Sequence, residues 1–248
     1  MSRLVLGVQP VREAIRAGAD RIDRILVMRR AGDSSPLLEA LARFAASQGR
    51  PVEWVEAATL DRLAKGVAHQ GVIAIASDLQ LVDLATVLDR QPTTLIALDQ
   101  ISDPQNFGAI IRSAVAFGTD AVLWPEHASA PLTPATFRAS AGAIEHASLC
   151  RVRKLPAALQ AAADAGMLVL GLAGDGSESI DRLDLSQPVV VVVGSEGSGI
   201  RRSVRSACRQ IVKLPTFPPV PTLNASVAAA VALYEVARQR AHAAQAIP

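Results

Sequence analysis

Five consecutive valines, Val189 to Val193, run straight into Gly194-Ser-Glu-Gly-Ser-Gly199. A run this apolar and this short reads as a strand covered on both faces. After it come a basic segment predicted to be helical, a short strand from Ile211 to Leu214, a proline-rich loop, and a small-residue helix opening at Asn224. Glycines at the end of a buried strand let backbone N–H groups approach a ligand without interference from Cβ. Glycine turns between strand and helix are also common for purely structural reasons, so this loop alone favours a site only slightly.

The remainder of the chain alternates in the same way. Helices are predicted over Val8 to Ala17, from an N-cap at Ser34 through Pro36 to Gly49, and after a cap at Thr59. The second of these carries apolar positions at Leu37, Leu38, Leu41, Ala42 and Ala45. Strands are predicted over Arg24 to Met28, Val52 to Val55 and Val72 to Ser77. These make residues 1–77 a compact α/β unit with a binding role, because no nucleophile–base pairing or phosphate loop is visible in it. Residues 78–92 read as a linker helix ending at Pro92. A second domain, 93–248, follows, with strands at Thr93 to Leu98, Ala121 to Trp124, Leu168 to Leu172 and Pro188 to Val193. Helices are predicted over Ala109 to Gly118 and Pro156 to Ala165, and apolar strands separated by helices indicate a parallel sheet with both faces covered.

Composition excludes more than it selects. No apolar run approaches about 20 residues, so no membrane span is expected, and the first residues show no signal-peptide pattern. Cys150 and Cys208 read as reduced thiols of a cytoplasmic protein, and neither they nor the four histidines have metal-ligand spacing, so no metal is expected. The net charge of +2 does not announce a nucleic acid. Of 25 cationic residues, only Lys65, Lys154 and Lys213 are lysines, and arginine suits bidentate contact with phosphate. A GC-rich coding bias gives the same excess.

Three loops fall at predicted C-terminal strand ends, the edge where open α/β sheets bind ligands. They are Asp103 to Arg112, Gly194 to Gly199, and Leu214 to Ser226. Each carries polar residues in apolar surroundings: Asn106 and Arg112, Glu196, then Asn224 and Ser226. Asn106 is also placed to cap a helix, and either Asn224 or Ser226 could cap the last one. Arg112, inside an apolar helical run, needs solvent or a partner, and Glu196 is the candidate.

These loops resemble the signature motifs of the SPOUT-class, or TrmH-type, RNA ribose 2′-O-methyltransferases. The likeness is greatest to bacterial enzymes that methylate a guanosine in 23S ribosomal RNA or in the tRNA D-loop. The pattern N-x-G-A-x-x-R is met by Asn106, Gly108, Ala109 and Arg112, and G-S/A-E-G-x-G by Gly194 to Gly199. The third, I-P…S-L-N-x-S-x-A, is met with changes by Leu214, Pro215, Thr222, Leu223, Asn224, Ser226 and Ala228. The N-terminal segment, with Gly7 and His69-Gln70-Gly71, is similar to the family's L30e-like RNA-binding module. The minimal tRNA enzyme lacks that module, which favours the ribosomal-RNA type.

The resemblance implies a deep trefoil-knotted C-terminal α/β domain with a mainly parallel sheet, a homodimer, and S-adenosyl-L-methionine as methyl donor. It implies Gly194, Gly199, Leu214, Leu223 and Ser226 as the cofactor site, and Asn106, Arg112, Glu196 and Asn224 as the catalytic set. Thr216 and Pro218 stand where the family often has methionine and glycine; proline removes a backbone donor at that point. Arg112 is given the part of general base in the family. A guanidinium with a pKa above about 12 would need a shift of about five units to act so at neutral pH. Clamping a phosphate and stabilising the developing alkoxide is the role expected here. Arg201, Arg202, Arg205 and Arg209 follow the second motif as further phosphate contacts or as a solvated helix face. A dinucleotide-binding protein would place G-x-G-x-x-G after its first strand, and here the order is G-x-x-G-x-G late in the chain. A tRNA methyltransferase and a non-catalytic RNA-binding module of the same fold are the remaining alternatives.

Overall fold

The computed structural model of the chain describes residues 2–29, 35–127, 129, 132–219 and 222–245. These form two compact units, Met1–Gln80 with Leu132–His146, and Leu81–Pro131 with Ala147–Pro248. The segment Leu132–His146, from the middle of the predicted second domain, belongs by its packing to the N-terminal unit.

The first unit contains strands β1 (Ser2–Leu6), β2 (Ile22–Met28), β3 (Val52–Val55) and β4 (Val72–Ser77), in the order β1-β4-β2-β3. β4 runs antiparallel to both β1 and β2, and β3 runs parallel to β2. Between them lie α1 (Val8–Gly18), α2 (Pro36–Ser47) and α3 (Ala57–Ala64). Strand alternation sorts the core into two layers. Val5, Ile25, Val27, Val72 and Ala74 pack with Val11 and Ile15 of α1 and Leu38 and Leu41 of α2. Their neighbours Leu6, Leu26 and Ile73 pack on the other face with Leu60 and Ala64 of α3.

Local details differ from the sequence expectations. The N-cap of α2 is Ser35, and Ser34 lies outside the described residues. Leu37 faces solvent, because one helix stripe buries Leu38, Leu41, Ala42 and Ala45. Thr59 sits inside α3, whose cap is Glu56. β1 was not anticipated at all.

The second unit opens with α4 (Leu84–Asp89), capped by Asp83, whose carboxylate accepts from Thr86 N at 2.8 Å. β5 (Thr94–Asp99), α5 (Pro104–Ala116) and β6 (Ala121–Pro125) follow. The chain then gives α6 (Pro134–Ala139) to the first unit and returns with β7 (Leu149–Val152), α7 (Leu155–Asp164), β8 (Leu168–Leu172) and β9 (Glu178–Ser179). It ends with β10 (Val189–Gly194), α8 (Arg202–Arg205), β11 (Gln210–Lys213) and α9 (Ala225–Gln245). The sheet has seven strands in the order β7-β6-β5-β10-β8-β11-β9. Every pairing is parallel, where a mainly parallel sheet was expected. The five valines, in β10, sit between β5 and β8, so both edges of that strand are paired and both faces are buried. Val190 and Val192 pack in one cluster with Leu155, Leu159 and Val204. α9 packs on β10 and on α5, burying Ala229 and Leu233. Fully burying a valine or leucine stabilises by about 1.5–3 kcal/mol.

Burial pushes the thiols of both Cys150 and Cys208 up to about 11. The thiolate is the reactive form, so neither cysteine is expected to take up iodoacetamide in the folded protein at neutral pH. Mass spectrometry after a short pulse should find both alkylated only when denaturant is present.

Candidate active site

Because the strands are parallel, all their C-terminal ends lie along one edge of the sheet. At that edge β10 ends in Gly194 and the loop 195–199 folds back: Gly199 N donates to Ser195 O at 2.9 Å. A Cβ on Gly194 would lie 2.2 Å from Gly199 C and 2.4 Å from Ile200 N. Closure of the loop on itself thus requires a glycine here, alongside the approach to a ligand that the sequence suggested. Gly199 has φ +65°, a left-handed conformation that L side chains rarely adopt.

Below the loop, an ion pair holds its far end. Asp99, the last residue of β5, is fully buried and accepts from Arg201 N and Nε, both at 2.8 Å. Arg201 Nη2 lies 2.6 Å from the same carboxylate. A buried carboxylate is tolerable only with such partners. Arg205 forks onto Asp175 with two bonds of 3.0 Å, and this contact holds the Asp175 carboxyl below its usual range. Of the four arginines expected as a basic helix, two are thus engaged within the chain. The helix α8 is only four residues long, and Arg209 lies beyond it.

A cavity of about 400 Å3 opens between these walls. Leu172 to Asp175 line it from β8, Val193 to Ile200 from β10 and its loop, and Leu214, Thr216, Thr222, Leu223, Ala225 and Ala228 from the last third. Gly194, Gly199, Leu214 and Leu223 therefore share one cavity. Ser226 does not line it; its N and Oγ donate to Asn224 Oδ1 at 2.9 and 2.6 Å. The wall from Leu172 to Asp175 and the Asp99–Arg201 pair were missed. The only signal in the sequence was a strand ending in Ala-Gly-Asp-Gly, which resembles an ordinary turn.

Beside this cavity three polar side chains meet. Asn106 Nδ2 donates to Glu196 Oε1 at 2.7 Å, and Asn224 Nδ2 donates to Asn106 Oδ1 at 3.0 Å and also to Glu196 Oε1. Asn224 thus both caps α9 and joins the cluster. Asn106 is not a cap: α5 begins at Pro104, and Asp103 accepts from Gln105 N and Asn106 N. A second cavity of about 310 Å3, lined by Gln100 to Asp103, Asn106 and Ser195 to Ser198, shares those four loop residues with the first.

Arg112 does not join the cluster. It is exposed, and it has no hydrogen bond or ion pair among the described residues. Six residues along a helix place it about 120° around the axis from Asn106 and about 9 Å further on. The expected pairing with Glu196 within one chain is therefore absent, for reasons of helix geometry. Among the described residues no group of three or more His, Cys, Asp or Glu could hold a metal ion, and no helix is long and apolar enough to cross a membrane.

Comparison with known proteins agrees with this layout. Residues 93–234 match the model of the SpoU rRNA methylase family, and residues 4–82 match that of the RNA 2′-O ribose methyltransferase substrate-binding domain. The chain is 44% identical over 244 residues to an uncharacterized tRNA/rRNA methyltransferase of Mycobacterium ulcerans, covering 95% of this chain and 77% of the relative. Among solved structures it is similar to the SpoU methyltransferase AviRb of Streptomyces viridochromogenes in complex with AdoMet. There the TM-score is 0.79 at 26% identity, over 97% of this chain and 91% of that one. An rRNA methyltransferase from Sinorhizobium meliloti shares the fold, with TM-score 0.77 at 24% identity over 96% and 87% of the two chains.

Proposed function

From a chain that belongs to the SpoU rRNA methylase family, we propose an enzyme that transfers a methyl group from S-adenosylmethionine to a ribose 2′-hydroxyl of RNA. A guanosine of 23S ribosomal RNA is the preferred target. The observation that carries this reading is the pair of cavities that share the loop Ser195 to Ser198, whose Glu196 is bonded to Asn106 and Asn224. One suits a donor and the other an acceptor. The matched substrate-binding domain supports a structured RNA, and the ribosomal type over the minimal tRNA enzyme.

Residues on the larger cavity fit the cofactor. Gly194, Ala173 and Gly174 leave backbone within reach, Leu214 and Leu223 offer apolar surface to a base, and Asp175 offers a carboxylate. Pro218 supplies no N–H, so that contact belongs to other backbone amides. When bound, S-adenosylmethionine supplies an electrophilic methyl group on a sulfonium centre. Asn106, Asn224 and Glu196 orient the acceptor, and holding it in line accounts for much of the rate. Arg112 stabilises the alkoxide as the hydroxyl loses its proton.

Arg112 performs this role for the second subunit of a homodimer. Two observations support the dimer. Glu196 Oε2 has no hydrogen bond among the described residues, leaving it open to a guanidinium. Val227, Val231 and Tyr234 form an apolar stripe on α9 that is 41–54% exposed, and such patches mark interfaces. The knotted topology expected from the resemblance belongs to the same proposal.

Tritium from labelled S-adenosylmethionine should enter 23S ribosomal RNA and remain in alkali-resistant dinucleotides, with bulk tRNA as the alternative substrate. Label in neither RNA, or on a base, would overturn the reading. Arg112→Lys is expected to lower kcat about 100–1,000-fold with little change in cofactor affinity. Co-expressing Arg112→Lys with Glu196→Gln should restore about a quarter of the sites, because a two-fold heterodimer regains one complete site. No restoration would show that Arg112 acts within its own subunit.

A further inference from the structure

A third cavity, of about 500 Å3, lies at the outer edge of the large sheet, where β7 ends beyond the bridge of Leu149 to Leu81. Its lining includes Arg151, Arg153, Lys154, Asp83 and Leu84. Strand alternation buries Cys150 and Val152 and turns Arg151 and Arg153 outward, and Lys154 is exposed after them. None of the three cations has a hydrogen bond or ion pair among the described residues, whereas Arg201 and Arg205 are both neutralised within the chain. The anion facing them, Asp83, is held by the cap of α4, where it accepts from Thr86 N and Thr86 Oγ1. Glu126, whose N donates to Val152 O at 2.8 Å, is a second acid at this end of the sheet.

Position gives this patch its meaning. β7 is parallel to β6, and β6, β5 and β10 run parallel in turn, so its C-terminal end lies on the same sheet edge as Asp99 and Gly194. Three strand spacings separate β7 from β10, about 14 Å, a span of a few nucleotides. We infer that Arg151, Arg153 and Lys154 grip the RNA backbone beside the modified nucleotide, giving the catalytic unit a phosphate track of its own. The inference rests on the proposed RNA methyltransferase activity. A protein partner with an acidic surface is the other occupant of such a patch. RNA is favoured because the patch shares its edge with the site that must receive the ribose, and because arginine forks match phosphate oxygens.

The test uses the full chain and whichever of 23S ribosomal RNA and bulk tRNA the wild type binds. Three single-strand phosphate contacts steepen the salt dependence of affinity by about 2 log units per decade. Combined Arg151→Gln, Arg153→Gln and Lys154→Gln should therefore weaken RNA binding on the order of 100-fold at about 0.1 M salt and flatten that slope by about 2. Affinity for S-adenosylmethionine should not change, which reports an intact fold. Arg151→Lys with Arg153→Lys should keep most of the slope, since each retains its charge. Unchanged RNA affinity and slope in the neutral variant would overturn the inference while leaving the activity standing. Absence of RNA binding by the wild type would overturn both.

Discussion

Gly194→Ala is expected to abolish measurable binding of S-adenosylmethionine, raising Kd by about 100-fold or more, and to lower stability by about 1–3 kcal/mol. The reason is space. The added methyl would meet Gly199 C at 2.2 Å, Gly199 O at 2.4 Å and Ile200 N at 2.4 Å. All three are backbone atoms and cannot rotate away as a side chain would. Either the loop 195–199 opens, breaking the 2.9 Å bond from Gly199 N to Ser195 O, or the end of β10 leaves its register opposite Asp99. Both responses move the wall of the cavity. Gly197→Ala is the matched control for stability: a methyl added there meets no protein atom within 4 Å, and the φ of Gly197 is unexceptional. A change there should stay within about 0.5 kcal/mol. Isothermal titration of both variants decides the matter, and normal cofactor affinity in Gly194→Ala would show that the loop does not form the binding wall.

The two glycines also show what could and could not be read from residues alone. The position of Gly194 to Gly199 after a buried strand was visible, because a valine run has one reading. What the glycine is for was not, since ligand approach and loop closure leave the same letter. Strands β4 and β8 coincide with their predicted ranges because β4 is a short apolar run bounded by Gly71 and Asp78, and β8 is one flanked, one residue out, by Gly166 and Gly174. β1 and β7 were missed for the opposite reason. Ser2–Leu6 and Leu149–Val152 each carry an arginine, Arg3 taken up by Glu145 and Arg151 exposed, which dilutes the apolar signal. The insertion of β10 between β5 and β8 is a long-range choice that local periodicity does not encode. The site divides in the same way. Asn106, from the first turn of α5, and Glu196 and Asn224, from two loops, do meet. Arg112 was assigned to Glu196 by charge, but a helix turns about 100° per residue, and six residues take it to another face.

Packing of Leu132–His146 with the N-terminal unit leads to the second large effect. Arg3 Nη1 and Nη2 donate to Glu145 Oε1 and Oε2 at 2.7 and 2.6 Å, with the two side chains only 11% and 3% exposed. Arg3 also stacks 5.0 Å from the Phe137 ring centroid, and its Nε donates to Ser77 O at 2.9 Å. The pair joins β1 to this segment. Glu145→Ala leaves a buried guanidinium with its fork unmatched, which should cost about 3–5 kcal/mol and lower the melting temperature by about 10 °C. Hydrogen exchange should quicken in residues 2–6 and 134–145 before the rest of the chain. Glu145→Gln retains one acceptor and should lose less. Arg3→Met combined with Glu145→Leu removes both charges and should recover most of the loss, since apolar replacement of a buried pair is often neutral. His146 Nε2, 3.0 Å from Glu13 Oε2, and the close approach at Gly142, where an added Cβ would meet Glu13 Cβ at 2.7 Å, still tie the segment to α1 in every variant. The cycle therefore isolates one tether among several. If Glu145→Ala melts with the wild type, the ion pair does not hold the segment, and the packing against α1 is sufficient.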